Sequence, residues 1–160
     1  MAFLTLLLIA ETQFANYLSS NFTLTYSKET PDGTISADYS VIHGFSVDPF
    51  SAPFIIVAVD KLTEIEPFTH NYKGILSIEI VTQIDDTEDP VSIHDQATAQ
   101  VYDLISNQEA VFSAVNADNF HLGQYYSISY AQGIGSNSEF GRCLSTKFEY
   151  EIQCQTLPVS

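Results

Sequence analysis

Basic residues are scarce in this chain. Lys and Arg together number 5 against 20 Asp and Glu, which gives a formal net charge of -15. No Lys or Arg occurs between Lys73 and Arg142. A protein that grips nucleic acid needs clustered Lys or Arg to bind phosphate, so the composition argues against that class. It is compatible with a protein that nucleic acid slides past, because a like-charged wall repels the phosphate backbone.

Charged residues of either sign are also few, at 16% of the chain, whereas hydrophobic residues make up 45%. This balance excludes a disordered chain. The length of 160 residues fits one domain, residues 1–160, with a core of ordinary size. The weakly charged surface is one that a subunit buried in an assembly tolerates.

Only two cysteines are present, and both lie along or beside the last predicted strand. Cys143 and Cys154 are eleven positions apart, so in a regular strand they point to opposite faces and lie too far apart to bridge. We therefore expect free thiols, which favour assembly in a reducing cytoplasm.

The apolar N-terminus lacks the basic start and the small-residue cleavage site of a signal peptide, and its apolar run is too short to span a bilayer. An amphipathic helix over roughly residues 3–20 is favoured over a signal peptide. The residues that recur on one face at helical spacing are Leu4, Leu7, Leu8, Phe14, Ala15 and Leu18.

The rest of the chain alternates between strand and helix patterns. Strands are predicted at residues 22–26, 54–59, 74–83, 125–131 and 144–154, with a helix after Pro90 and a shorter one at 109–115. Residues 61–73 are predicted to connect two strands, and residues 133–137 to form a flexible loop. This order predicts an α+β fold with a mixed or antiparallel sheet and helices packed on one face.

Residues 28–53 form a long stretch rich in Pro, Gly, Asp and Ser. A turn is predicted at residues 31–33, and apolar residues at 35, 39, 41, 42 and 45 can anchor the stretch to the core. We expect a strand-and-loop excursion or an extra hairpin. Ordered excursions of this length usually contact a partner.

An acidic turn precedes the predicted second helix. Its carboxylates are Asp85, Asp86, Glu88 and Asp89, and Asp89 is placed to cap the helix while Pro90 takes the first helical position. The turn has the oxygen density to hold a cation but lacks the residue order of a calcium loop, so a solvated capping turn is the favoured interpretation. These four residues are also our candidates for the wall or rim of a channel.

Sequence motifs for catalysis are weak. Glu149 and Glu151 lie about 7 Å apart on the polar face of the last strand, a spacing that paired catalytic carboxylates can use. Alternating Glu on a solvated strand face is the more ordinary explanation. His94, beside Asp95 in the first turn of a helix, is predicted to be solvent-exposed. The sequence predicts a non-enzymatic protein without catalytic residues, metal or cofactor.

The layout of residues 54–155 resembles the tail-terminator (tail-completion) proteins of tailed bacteriophages. The segment 72–80, Tyr-Lys-Gly-Ile-Leu-Ser-Ile-Glu-Ile, leads into a strand. The acidic turn follows, then a helix carrying His94, Ala97 and Val101. An Asn-containing turn at Asn116, a strand ending near residue 132 and the alternation at residues 148–152 complete the likeness.

The resemblance implies a virion structural protein, assembled in the host cytoplasm, that forms a homo-oligomeric ring, in that family a hexamer. Such a ring caps the tail tube and joins it to the connector or stopper protein of the neck. DNA passes through without specific binding, and no membrane is involved. The alternative is a non-enzymatic accessory module of a virion that binds a protein or glycan through residues 28–53.

Overall fold

The computed structural model of the protein describes residues 2–44, 53–65, 71–84, 87–115, 121–122, 128–137 and 141–155. The helices are α1 (Ala2–Asn21), α2 (Pro90–Ser106) and α3 (Gln108–Val115). The strands are β1 (Thr25–Thr30), β2 (Gly33–Asp38), β3 (Ser40–His43), β4 (Phe54–Glu64), β5 (Asn71–Gln83), β6 (His121–Leu122), β7 (Ile128–Asn137) and β8 (Gly141–Gln155). The predicted α+β class is confirmed.

The main sheet is mixed and has the order β3-β4-β5-β8, with β6 and β7 both pairing the far side of β8. β3 runs parallel to β4, and the other pairs are antiparallel. β5 and β8 pair along thirteen residues, from Asn71 opposite Gln155 to Gln83 opposite Cys143. The helices pack against the sheet over this long central pair of strands.

Side chains on the central strands alternate between the two faces of the sheet, and one set of them lies under the helices. Leu76, Ile78 and Ile80 on β5 are fully buried, and Phe148 and Ile152 on β8 are at most 2% exposed. They share one core cluster with α1, α2 and α3, including Phe14, Leu18, Ala97, Val101, Ile105, Val111 and Val115. The two-residue period of a strand therefore specified the core face of β8 as predicted.

Helix α1 is tied to the rest of the core by polar contacts as well as by packing. The Tyr17 hydroxyl donates to the Leu104 carbonyl of α2 at 2.7 Å. The Glu11 carboxylate accepts from the Val59 backbone N–H at 3.0 Å, beyond the point where β3 stops pairing with β4. Glu11 thus satisfies a backbone donor that the short edge strand leaves unpaired.

Helix α2 begins as predicted. Pro90 occupies the first turn, and the Asp89 carboxylate accepts from the Ser92 N–H at 3.4 Å. Asp89 itself has a left-handed backbone, with φ 49°. Short polar residues such as Asp adopt this conformation more readily than β-branched ones.

Two sequence predictions about strand limits are wrong. Residues 61–64 continue β4 and residues 71–73 already belong to β5, so the connection predicted over 61–73 is much shorter. Residues 133–137 are not a loop but the second half of β7, paired with β8 from Gly133 opposite Ser145 to Asn137 opposite Gly141. Pairing with a long neighbouring strand outweighs the low strand preference of Gly, Ser and Asn.

The predicted excursion contains a separate two-stranded hairpin. β1 and β2 pair from Thr25 opposite Asp38 to Thr30 opposite Gly33, which leaves Pro31 and Asp32 as a two-residue turn. Gly33 follows with φ 122°, a backbone conformation open mainly to glycine. The hairpin spans residues 25–38, so it takes in the end of the predicted strand 22–26 as well as the start of the 28–53 stretch, and residues 45–52 lie outside the described part of the chain.

Candidate functional site

The helical layer has a purely acidic outer surface. Every charged side chain in residues 87–115 is a carboxylate, and all five are exposed: Glu88, Asp89, Asp95, Asp103 and Glu109. Of the predicted channel residues, Glu88 and Asp89 lie at the N-terminal end of α2, whereas Asp85 and Asp86 lie outside the described residues. The acidic turn predicted from sequence therefore continues along the helices as a wider negative surface.

The opposite, open face of the sheet carries most of the chain's cations. Lys61, Lys73 and Lys147, three of the five basic residues, lie on β4, β5 and β8. Their strand positions alternate with those of the buried core residues, so they face away from the helices. The two layers of the molecule therefore differ: residues 87–115 offer carboxylates only, whereas the open face carries lysines among carboxylates.

Glu149 and Glu151 lie on this open face, and the carboxylate of each contacts a lysine side chain. Lys147 contacts Glu149 at 3.4 Å and Asp60 at 3.7 Å, and Lys73 contacts Glu151 at 3.9 Å. Burial opposes the charge of Lys147, but the carboxylates of Asp60, Glu149 and Glu79 outweigh it and raise the pKa of Lys147. The two glutamates are thus members of a surface ion-pair network, the ordinary explanation that the sequence favoured.

A cleft of about 420 Å³ opens at one end of the same face, lined by Lys61, Thr63, Glu64, Ile65, Lys73, Gly74, Ile75 and Glu151. A β-bulge at Asp60 shapes it: Val59 pairs with Leu76 and Lys61 pairs with the next residue, Ile75. The extra residue reverses the alternation of β4, so that Leu62 packs on the core and Lys61 faces the cleft.

Gly74 is required at the floor of this cleft. A Cβ atom built on Gly74 would lie 2.3 Å from the Lys61 carbonyl oxygen and 2.9 Å from Leu62 Cδ1. Because the nearest obstacle is backbone, no side chain can be accommodated without moving β4. The bulge and Gly74 together hold the Lys61 backbone in a fixed position.

A chain of hydrogen bonds between three buried hydroxyl groups and one imidazole crosses the core from the excursion to β8. The Tyr39 and Thr82 hydroxyls are 2.5 Å apart, Thr82 Oγ1 is 2.7 Å from His94 Nδ1, and His94 Nε2 is 2.7 Å from Thr146 Oγ1. Thr82, His94 and Thr146 are fully buried, and Tyr39 is 7% exposed. The prediction that His94 is solvent-exposed is wrong.

His94 is neutral in this setting. Burial lowers the pKa of His94, and the nearby Asp95 only partly opposes that shift. A neutral imidazole donates from one nitrogen and accepts at the other. Thr82 and Thr146 can form hydrogen bonds with either tautomer of His94, since a hydroxyl both donates and accepts. Burial also raises the pKa of Tyr39, so its hydroxyl stays protonated.

The sequence carried a signal for this chain of residues that the prediction did not use. His94 lies three, seven and eleven residues before Ala97, Val101 and Ile105, the buried stripe of α2. Thr82 continues the buried alternation of Ile78 and Ile80. A polar residue in phase with an apolar stripe is a buried polar residue that needs a partner.

Within the described ranges, no group of three or more His, Cys, Asp and Glu side chains could hold a metal ion. No helix in that part of the chain is long and apolar enough to cross a membrane. Cys143 is a buried thiol in a small cluster with Phe54 and Val81 on the open face. No protein-family model matches this chain, and no curated protein matches it.

Proposed function

We propose that this protein is a structural subunit that forms a ring at the head-proximal end of a phage tail, caps the tail tube and joins it to the connector of the neck. We infer the location in the virion from the resemblance of residues 54–155 to tail-terminator proteins. The order of elements from β4 to β8, with α2 and α3 between the two strand pairs, is compatible with that layout.

The main support for a ring is the difference in charge between the two layers. The helical layer offers five exposed carboxylates and no cation in residues 87–115, while the open sheet face sets Lys61, Lys73 and Lys147 among carboxylates such as Asp60, Glu149 and Glu151. Two unlike surfaces on opposite sides of one subunit favour head-to-tail contacts, which close into rings when the rotation between neighbours permits.

The acidic end of α2 supports the second part of the proposal, passage of DNA without adhesion. Glu88 and Asp89 are exposed at the N-terminal end of the helix, next to Asp85 and Asp86 in sequence. Carboxylates on an inner wall repel phosphate and prevent sticking. Simple solubility is the competing explanation, because a large net charge also keeps unassembled subunits apart.

Sedimentation and negatively stained images of the purified protein test the ring. We expect a closed particle several times the 17.7 kDa mass of the chain. A particle that stays monomeric or dimeric at all concentrations contradicts the proposal.

Charge reversal tests the role of the acidic turn. Replacing Asp85, Asp86 and Glu88 with Lys should leave rings assembled but slow or block DNA ejection from particles that carry the variant. The matched control is Asp32→Lys in the exposed hairpin turn, which should leave ejection normal. Normal ejection from the triple variant would favour the solubility explanation, as would images that place these residues on the outer circumference.

The hairpin gives one specific reason to keep the second candidate, a virion accessory module that binds a protein or glycan. β1 and β2 form a sheet of their own with an exposed turn at Pro31 and Asp32. Two-stranded hairpins are marginal alone, and here Tyr26 and Tyr39 anchor it to the core. A monomeric particle that loses partner binding when residues 30–34 are shortened would favour this candidate over the ring.

A further inference from the structure

Lys61 is an unusual cation in so acidic a chain. Its side chain is exposed, and it makes no ion pair with any side chain in the described ranges, although the chain has 20 carboxylates. Lys147, on the same sheet face, has two carboxylate contacts. The bulge at Asp60 holds Lys61 toward the cleft rather than the core. An exposed lysine with no ion pair in the described part of the chain is available to an acidic partner outside the subunit.

An apolar side chain accompanies this cation. Ile65 follows the end of β4, lines the same cleft and is 48% exposed, one of three large hydrophobic residues with such exposure in the described chain. An apolar group beside a charge is the usual composition of a small docking surface, in which apolar burial supplies affinity and the charge fixes register. We call Lys61 and Ile65 the sheet knob.

The outer face of α2 has the complementary composition. Asp95, Ala99, Tyr102 and Asp103 are all exposed; Asp95, Ala99 and Asp103 lie on the side of the helix away from the buried stripe, and Tyr102 lies on the flank next to it. Tyr102 is 48% exposed, and its ring lies 6.0 Å from that of Phe148, which holds it against the sheet. We call these four residues the helix patch. It offers apolar surface between two carboxylates.

We propose that the sheet knob of one copy docks on the helix patch of the next copy. The proposal rests on the ring of the proposed function and names the contact that repeats around it. The two surfaces lie on opposite sides of the subunit, because α2 packs on one face of the sheet through its buried stripe and Lys61 faces the other. The contact is therefore head-to-tail.

Other occupants of either surface fit less well. A two-fold contact between helix patches would place Asp95 and Asp103 against the same carboxylates of the partner. Nucleic acid needs clustered Lys or Arg for its phosphates, and the sheet knob supplies one cation, Lys61. A second copy of this chain supplies both the carboxylates for Lys61 and the apolar surface for Ile65.

Two charge-reversed chains test the contact. One carries Lys61→Glu, and the other carries Asp95→Lys with Asp103→Lys. Each alone should need at least a tenfold higher concentration than the wild type to form the large particle. An equimolar mixture should recover assembly, because alternating chains pair the reversed knob with the reversed patch and a native knob with a native patch.

The readout is sedimentation velocity at matched protein concentration, with circular dichroism to show that each variant is folded. Asp32→Lys on the hairpin turn is the control and should assemble like the wild type. If the wild type forms rings and the reversed chains assemble equally well, or stay small even when mixed, the contact is wrong while the ring stands. If the wild type itself forms no ring, both proposals fail.

Discussion

The two faces of the central sheet both carry polar side chains, but they hold them in different ways. Under the helices, Thr82, His94 and Thr146 are fully buried and joined by 2.7 Å hydrogen bonds. On the open face, Lys147 and Glu149 make a 3.4 Å ion pair whose side chains are 38% and 45% exposed. The buried face has uncharged partners at short range, and the open face has charged partners in contact with water.

This difference in burial determines how much each contact contributes to the free energy of unfolding. A buried polar group that loses its partner incurs the full cost of desolvation, whereas an exposed ion pair exchanges readily with water and salt. The buried chain also links four segments distant in sequence: the excursion, β5, α2 and β8. We therefore expect stability to depend on the helix-covered face and surface interactions to depend on the open face.

The strongest test removes apolar volume from the buried face. Phe148 is 2% exposed in the core cluster, so Phe148→Ala should lower the free energy of unfolding by about 3–5 kcal/mol. Urea melts measure the change. A loss below about 1 kcal/mol would show that this face of β8 is not the core.

The next test removes one hydroxyl from the buried chain. Thr146→Val keeps the shape of the side chain but leaves His94 Nε2 without its partner in a fully buried site. We expect a loss of about 1–3 kcal/mol. Thr63→Val, at an exposed position on the open face, is the matched control and should change stability by no more than about 0.5 kcal/mol. Equal effects of the two substitutions would remove the distinction between the faces.

The pH dependence of stability separates His94 from the surface groups. Burial holds the folded pKa of His94 below its unfolded value, near 6.5, so the unfolded chain binds the proton more readily. The stabilisation is present in full above pH about 6.5 and is lost as the pH falls toward the folded pKa.

Chemical denaturation of the wild type and His94→Gln at several pH values measures this dependence. The stability difference between the two should fall by up to about 1.4 kcal/mol per pH unit below that point. The carboxylates titrate in both proteins and cancel. A difference that stays flat between pH 7 and pH 5 would show that His94 is not buried in its neutral form.

The smallest effect is expected on the open face. Lys147→Ala removes contacts with Asp60 and Glu149, but the lysine side chain is 38% exposed. The loss should be below about 1 kcal/mol and should shrink further in high salt, because salt screens exposed charges. The effect of Thr146→Val should not change with salt. A large, salt-resistant cost at Lys147 would mean that the open face is covered in the assembled protein.

Much of the fold was predictable because side-chain periods are local. Helical spacing predicted α1 and α3, and the cap at Asp89 with Pro90 located the start of α2. Alternation predicted which face of β8 packs on the core. The exposed position of Glu88 and Asp89 followed from the same reasoning. The function assigned to them remains a proposal, because ring and virion depend on partners that a single chain does not contain.

Two features of the open and buried faces were not predicted from the sequence. Residues 61–64 read as a connection because the bulge at Asp60 breaks the alternation of β4, and only pairing with β5 across Gly74 shows that the strand continues. The position of His94 in the apolar stripe of α2 was a local signal for its burial, but its partners, Thr82 and Thr146, are 12 and 52 positions away, and only the folded chain brings them to it.

The sequence by itself determined the kinds of elements, the alternation of β5 and β8 and the acidic balance of the chain, since each depends on local spacing or on composition. The tertiary structure decided where polarity is buried and where it is exposed. The register of β5 against β4 turned Lys61 outward, and the packing of α2 on β5 and β8 enclosed His94. Contacts between distant segments set both outcomes, and no local pattern encodes the distance between those segments in the folded chain.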